Sequence, residues 1–99
     1  MARVPTIYNV TMTVANTEYS QALPLHTKKY LIHTRDESLF RLAFVTGKVA
    51  GSTAPFFTVL ASSRYYEDMI NNEYPAASLL TLYFASPDAG KIIEIIAWT

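Results

Sequence analysis

The sequence predicts an all-β domain, an antiparallel β-sandwich with jelly-roll character built from about eight short strands. Three observations lead there. Short runs alternate apolar and polar residues with period two, turn residues recur every eight to twelve positions, and no stretch carries the 3.6-residue period of a long amphipathic helix. The 99 residues make one domain spanning 1–99, since a chain of this length has no room for two cores.

Taken in order, Tyr8, Val10, Met12 and Val14 alternate with Asn9, Thr11 and Thr13 and mark a half-buried first strand. Residues 15–17 turn the chain, and 18–23 read as a second short strand that Pro24 ends, because proline donates no ladder hydrogen bond. A third strand is expected over 28–34, with Tyr30 and Ile32 on one side and Lys29, Leu31 and His33 on the other. After the turn at 36–38, residues 39–45 form a fourth run that is apolar on both faces except at Arg41. Residues 47–55, "GKVAGSTAP", hold two of the three glycines and form the clearest loop, interrupted by the apolar pair Val49-Ala50. Residues 56–60 are strand-like. Residues 64–68 fit either one or two helical turns or a strand, and the strand is preferred. An irregular loop over 71–78 follows. Residues 79–85 and Lys91–Trp98 are expected to close the chain as a hairpin around "SPDAG", where proline sets φ and glycine supplies a left-handed position.

Composition excludes several kinds of function. Eight basic and eight acidic residues leave no formal net charge, so no global field draws the chain to nucleic acid or to anionic lipid. With no cysteine, disulfides, thiolate metal sites and thiol catalysis are impossible, as suits a protein made in a reducing cytosol. The start "MARVPTIYNVTMTV" has no continuous apolar core of a leader, and the apolar runs fall far short of the ~20 residues of a membrane span. Neither nucleic acid nor membrane is expected as a partner, and no signal peptide is expected.

Catalytic constellations are equally thin. Three scattered glycines (Gly47, Gly51, Gly90) make no phosphate loop. His26 and His33 are separated by proline, turn and strand, so no metal site is expected; His26 reads as a surface turn and His33 as a solvated strand face. Ser38, His33 and Asp36 could be written as a triad, but three residues around one turn rarely hold its geometry. Adjacent Glu67 and Asp68 diverge on a strand, which leaves one of them to pair with Arg64 or a lysine. Glu94, the one acid inside the most apolar strand, is expected to pair with a basic residue or to rim an interface. Asn9-Val10-Thr11 matches a glycosylation acceptor that means nothing without secretion. No catalytic residue, metal or cofactor is expected, and the chain is expected not to be an enzyme.

What remains is an apolar excess. Apolar residues are 51% and charged residues 16%, against about 25% charged in average domains. Several strands carry apolar side chains on both faces, and monomers seldom expose continuous apolar patches beyond a few hundred Å². Part of this surface is therefore expected to contact a partner, through Phe40, Leu42, Phe44, Phe57, Tyr66, Ile93, Ile95 and Trp98. The paired aromatics Phe56-Phe57 and Tyr65-Tyr66 also admit a carbohydrate-binding sandwich as an alternative.

The segments "ANTEYSQALPLHTKKYLIHTRDESLFRLAFVTGKV", "PFFTVLASSRYYED" and "LTLYFASPDAGKIIEIIAW" together resemble small structural proteins of tailed bacteriophages. The shared layout is an N-T-E-Y entry, a leucine-proline turn, a lysine-rich strand, an arginine-containing strand, an aromatic-Tyr-Glu-Asp segment and a terminal I-E-I-x-x-W strand. The resemblance spans residues 15–98 and rests on strand and turn residues. It implies a virion component of sandwich or jelly-roll fold, made in the host cytoplasm, with nothing catalytic to carry across. The expected role is capsid decoration or cement, stabilising contacts between coat subunits, with a neck or tail connector as the alternative. Expected partners are the major capsid protein, other virion proteins and copies of itself, as a trimer or dimer.

Overall fold

The computed structural model describes residues 4–99, the Ala76 side chain excepted; residues 1–3, part of the stretch read for a leader, lie outside it. Eight strands form in chain order: β1 (Thr6–Met12), β2 (Tyr19–Ala22), β3 (Lys29–Thr34), β4 (Phe40–Ala43), β5 (Phe57–Val59), β6 (Tyr65–Glu67), β7 (Thr81–Ala85) and β8 (Lys91–Trp98), with one 3-10 turn at Ala76–Ser78. They make two four-stranded sheets, β1-β8-β3-β6 and β2-β7-β4-β5.

The pairing explains the topology. β1 pairs with β8, β2 with β7, β3 with β6 and β4 with β5, all antiparallel. A long two-stranded ribbon wound on itself has this nesting. Lateral pairs β3–β8 and β4–β7 then knit its turns into sheets. The chain is thus an all-β sandwich of the jelly-roll kind.

Each sheet turns its alternate residues inward. Met12, Tyr30, Ile32, Ile93, Ile95 and Ala97 from the first sheet meet Phe40, Leu42, Val59, Leu82 and Phe84 from the second, and all are buried. In β8 the inward set is Ile93, Ile95 and Ala97, and Ile92, Glu94, Ile96 and Trp98 face out, half-buried. No helix of the described residues is long and apolar enough to cross a membrane.

One expectation is corrected. β7 and β8 are not a hairpin, because they belong to opposite sheets. Residues 86–90 cross the edge of the sandwich instead; five residues reach up to about 16 Å, enough for the ~10 Å between packed sheets. The crossover is tied to the β1–β2 link by Asn16 N–H donating to the Ser86 carbonyl at 2.7 Å, and to the end of β1 by Gly90 N–H donating to the Met12 carbonyl at 2.8 Å. Gly90 takes φ +83°, where a side chain would be strained.

The loop over residues 44–56 has an architectural task. It folds over the outer face of the second sheet and seats Val49 on Ala43 and Ala85, with Phe56 and Tyr83 packed beside them. Arg41, on that face and buried, holds it there: its Nε donates to the Val49 carbonyl at 2.6 Å and its Nη2 to Asn16 Oδ1 at 2.8 Å. The loop's own end is pinned where Thr46 Oγ1 and Gly47 N–H donate to the Glu18 carboxylate at 2.6 and 2.8 Å. The outer face of the second sheet is therefore covered by the chain itself around Ala43, Tyr83 and Ala85.

Candidate interaction surface

Among the described residues, nothing covers the first sheet in that way. Its outer face is built from the odd-numbered residues of β1 and β3 and the even-numbered residues of β6 and β8. Register aligns Ile7 with Ile96, Ile96 with Leu31, and Leu31 with Tyr66, one from each strand. At ~4.8 Å between strands, these four side chains form an apolar row about 14 Å long. Ile7 is 63% and Tyr66 47% exposed, and Ile96 and Leu31 are half-buried.

The row is bounded by polar groups on both sides. On one, Lys29 Nζ lies 5.1 Å from the centroid of the Trp98 ring, a cation–π contact. On the other, Asn9, Glu94 and His33 align across three strands. Arg35 Nε donates to Glu94 Oε2 at 2.8 Å, and His33 Nε2 lies 3.1 Å from Oε1. The Arg35 hydrogen bond, assisted by the charges of Arg35 and His33, holds the Glu94 carboxyl below its ordinary range. Glu94 is thus the ionised rim of an apolar strip. A shallow cleft of about 220 Å³ runs beside it, lined by Ile7, His33, Glu94, Ile95 and Ile96. Farther along, Lys91 Nζ donates to Asp36 Oδ2 at 2.6 Å, which pulls the Asp36 carboxyl down to about 2.

A second exposed cluster sits where the β5 and β6 edges of the two sheets meet. Tyr65 is its hub, with ring centroids 5.8 Å from Phe57, 6.4 Å from Phe44 and 6.1 Å from Tyr30. Tyr30 is buried and donates its hydroxyl to Glu67 Oε1 at 2.7 Å; burial first, then the Glu67 carboxylate, push its phenol well above the usual range. Two open clefts flank Phe44. One of about 290 Å³ runs along Leu42, Phe44, Pro55, Phe56 and Phe57, and one of about 240 Å³ runs along Glu67, Ile70, Asn71, Ser78 and Leu80.

The residues expected at an interface divide cleanly. Phe40, Leu42, Ile93 and Ile95 are corrected: all four are buried between the sheets and none can reach a partner of the folded chain. Their strands have two apolar faces, and alternation placed these four on the inner one. Phe44, Phe57 and Tyr66 are exposed, and Trp98 is half-buried beneath Lys29. Ile7 and Leu31 were missed, and for β8 the sequence leaves open which alternating set, that of Ile93 or that of Ile96, faces out. Ile7 shares its parity with polar Asn9 and Thr11, and Leu31 shares its own with Lys29 and His33, so each hides in a set that reads as solvated.

The remaining expectations resolve locally. Glu67 accepts from Tyr30 rather than from a basic residue. Asp36 accepts from Ser38 N–H and Lys91, while His33 faces Glu94, so the written triad is not assembled. His26 sits exposed in its turn, with Nδ1 2.6 Å from Glu73. Among the described residues, no three His, Cys, Asp or Glu side chains gather as a metal site requires.

No family model and no curated protein matches this chain. Among solved structures, it is similar to a chain from the disulfide-linked pili of Bacillus endospore appendages, with 16% identity and a TM-score of 0.44 over 97% of this chain and 87% of that one. Likeness at that level adds nothing to an assignment of function.

Proposed function

We propose that this chain is a non-enzymatic structural protein of a tailed-phage particle. It decorates or cements the capsid by laying the outer face of its β1-β8-β3-β6 sheet against a partner. The observation that carries the reading is the uncovered row Ile7–Ile96–Leu31–Tyr66, framed by polar groups as an interface core is framed by its rim. The tailed-phage resemblance of the sequence supplies the particle. The major capsid protein, or another virion protein, is the natural occupant.

The mechanism is mechanical. Each apolar Å² removed from water contributes ~25 cal/mol before entropy costs. A domain bridging two coat subunits adds that free energy to the work of separating them, and copy number multiplies a modest contact. A neck or tail connector would use the same face in a ring of higher symmetry.

Mixing the purified chain with capsid shells and sedimenting the particles tests this. Stoichiometric co-sedimentation and a raised shell-disruption temperature are expected, both abolished in Ile96→Lys. Shells that neither bind nor gain stability from the chain would end the cement reading. The carbohydrate-binding alternative draws on exposed Phe44 and Phe57; glycan-array binding lost in Phe44→Ala would favour it instead.

A further inference from the structure

Four strands form the open edges of the sheets: β1 and β6 in the first, β2 and β5 in the second. An open edge templates another strand, and proteins blunt it with brevity, charge or proline. β5 is three residues long and starts just after Pro55. β6 is also three residues, carries Glu67 and is flanked by Arg64 and Asp68. β2 has four residues, with Glu18 before it and Pro24 soon after. β1 has a flanking proline, Pro5, just before it, but within the strand it has neither charge nor proline, and it is not short. It is seven residues, TIYNVTM. Its ladder is to β8 alone, so alternate N–H and C=O groups point away from the sheet. Among the described residues, no other backbone hydrogen bond engages positions 6–11.

We propose that β1 is a self-pairing edge, joining β1 of a second copy antiparallel across a two-fold axis centred on Asn9. The sequence of the strand argues for this occupant. In that register all seven residues pair: Ile7 meets Thr11, Tyr8 meets Val10, Thr6 meets Met12, and Asn9 meets itself. Both members of every pair share a face, as a continuous sheet demands. Ile7, Asn9 and Thr11 stay on the exposed side, and Tyr8 and Val10 stay in line with the core they already pack against. The pair Tyr8–Val10, which occurs twice about the axis, is aromatic with β-branched, a combination that stabilises antiparallel ladders. No like charges meet, because the strand has none. The other three edges are short or charged, so a head-to-tail match for β1 is poorer than β1 itself. The inference goes beyond the virion reading and uses a different surface, an edge rather than a face, so either can fail without the other.

A seam of this size is small beside the about 800 Å² per partner of a standard interface, so the pair exchanges and is best caught covalently. The chain has no native cysteine, which makes a single substitution clean. In Asn9→Cys the two Cα atoms face each other at about 5 Å, within disulfide reach. In Thr11→Cys they lie about 14 Å apart along the strands. Air oxidation followed by non-reducing electrophoresis is expected to give Asn9→Cys dimers roughly tenfold faster than Thr11→Cys dimers, the excess coming from effective concentration. Equal slow rates would refute the pairing, and preferential linkage at position 11 would refute this register. Asn9→Lys supplies a second reading: Glu94 lies beside it in the sheet, so the fold is retained, while two lysines collide on the axis. An unchanged circular dichroism spectrum with a shift to monomer in sedimentation is expected. Association as strong as wild type would overturn the proposal.

Discussion

Arg41 shows how one residue decides what a strand face is for. A guanidinium on an otherwise apolar run reads as a surface charge, yet it is buried, bound to the Val49 carbonyl and the Asn16 amide oxygen. Its fork latches the loop over residues 44–56 to the second sheet. Arg41→Met keeps much of the packing stem but strands the carbonyl of buried Val49, and such a group costs about 1–3 kcal/mol when left unsatisfied, whereas exposed Asn16 can turn to water. Urea denaturation is expected to show a loss in that range, with proteolysis accelerated within residues 47–55. Arg41→Lys, which lacks the planar fork, should recover only part of it. Tyr30 makes a second prediction, with a definite sign. Its phenol is raised above the usual 10.0 in the folded chain by burial and by Glu67. The neutral form is therefore favoured by folding. Its contribution is complete below pH 10, and it is lost as pH climbs past 10 toward the folded value, because only the unfolded chain ionises there. Stability measured at pH 8 and pH 11 should fall more steeply in wild type than in Tyr30→Phe, which has no proton to lose.

Among the elements, β8 was the most legible and the most misleading. Its bounds follow from Gly90 and the run of β-formers, and the structure has it over Lys91–Trp98. Its inner face could not be read, because Ile93 and Ile95 alternate with Ile92 and Ile96 and hydrophobicity distinguishes neither set. Burial separates them: Ile93 is 0% exposed, whereas Ile96 lies on the outer row. Ile93→Lys forces an ammonium between the sheets, where an unpaired charge has no solvent, and the chain is expected to lose its cooperative thermal transition. Ile96→Lys should melt within a few degrees of wild type and lose partner binding. Two variants that both unfold, or both bind, would remove β8 from the interface. Other elements were legible for similar reasons. Alternation located all eight strands to within a few residues, and the preferred strand reading of 64–68 is β6. The final hairpin was not legible, since proline and glycine shape a turn in the same way whether the chain returns beside itself or crosses to the other sheet. Val49-Ala50 was visible as an apolar break in a loop, but what it covers depends on β4 and β7 lying beneath it, a long-range fact that local pattern does not encode.

At the scale of the whole molecule, the apolar excess divides between two sheets with different fates. The second sheet hides the part of its outer face around Ala43 and Ala85 under its own loop, which accounts for part of the surplus without any partner. The first sheet carries its row of four into solvent, and partner binding is argued from that remainder alone. The charge balance then fixes how such binding should respond to solution conditions. Eight positive and eight negative groups cancel, and on the exposed face Glu94 is already matched by Arg35, and Asp36 by Lys91. Little unscreened charge is left to steer or hold a partner. Screening shortens from about 14 Å at 50 mM salt to about 4 Å at 500 mM, yet apolar burial is insensitive to it. Binding to the proposed capsid partner, measured by sedimentation, is therefore expected to change by less than about threefold over that range of sodium chloride. Ammonium sulfate, which strengthens apolar burial by its exclusion from protein surface, should tighten it. A steep weakening with sodium chloride would place the contact on charged side chains instead, and the row Ile7–Ile96–Leu31–Tyr66 would then be bystander surface.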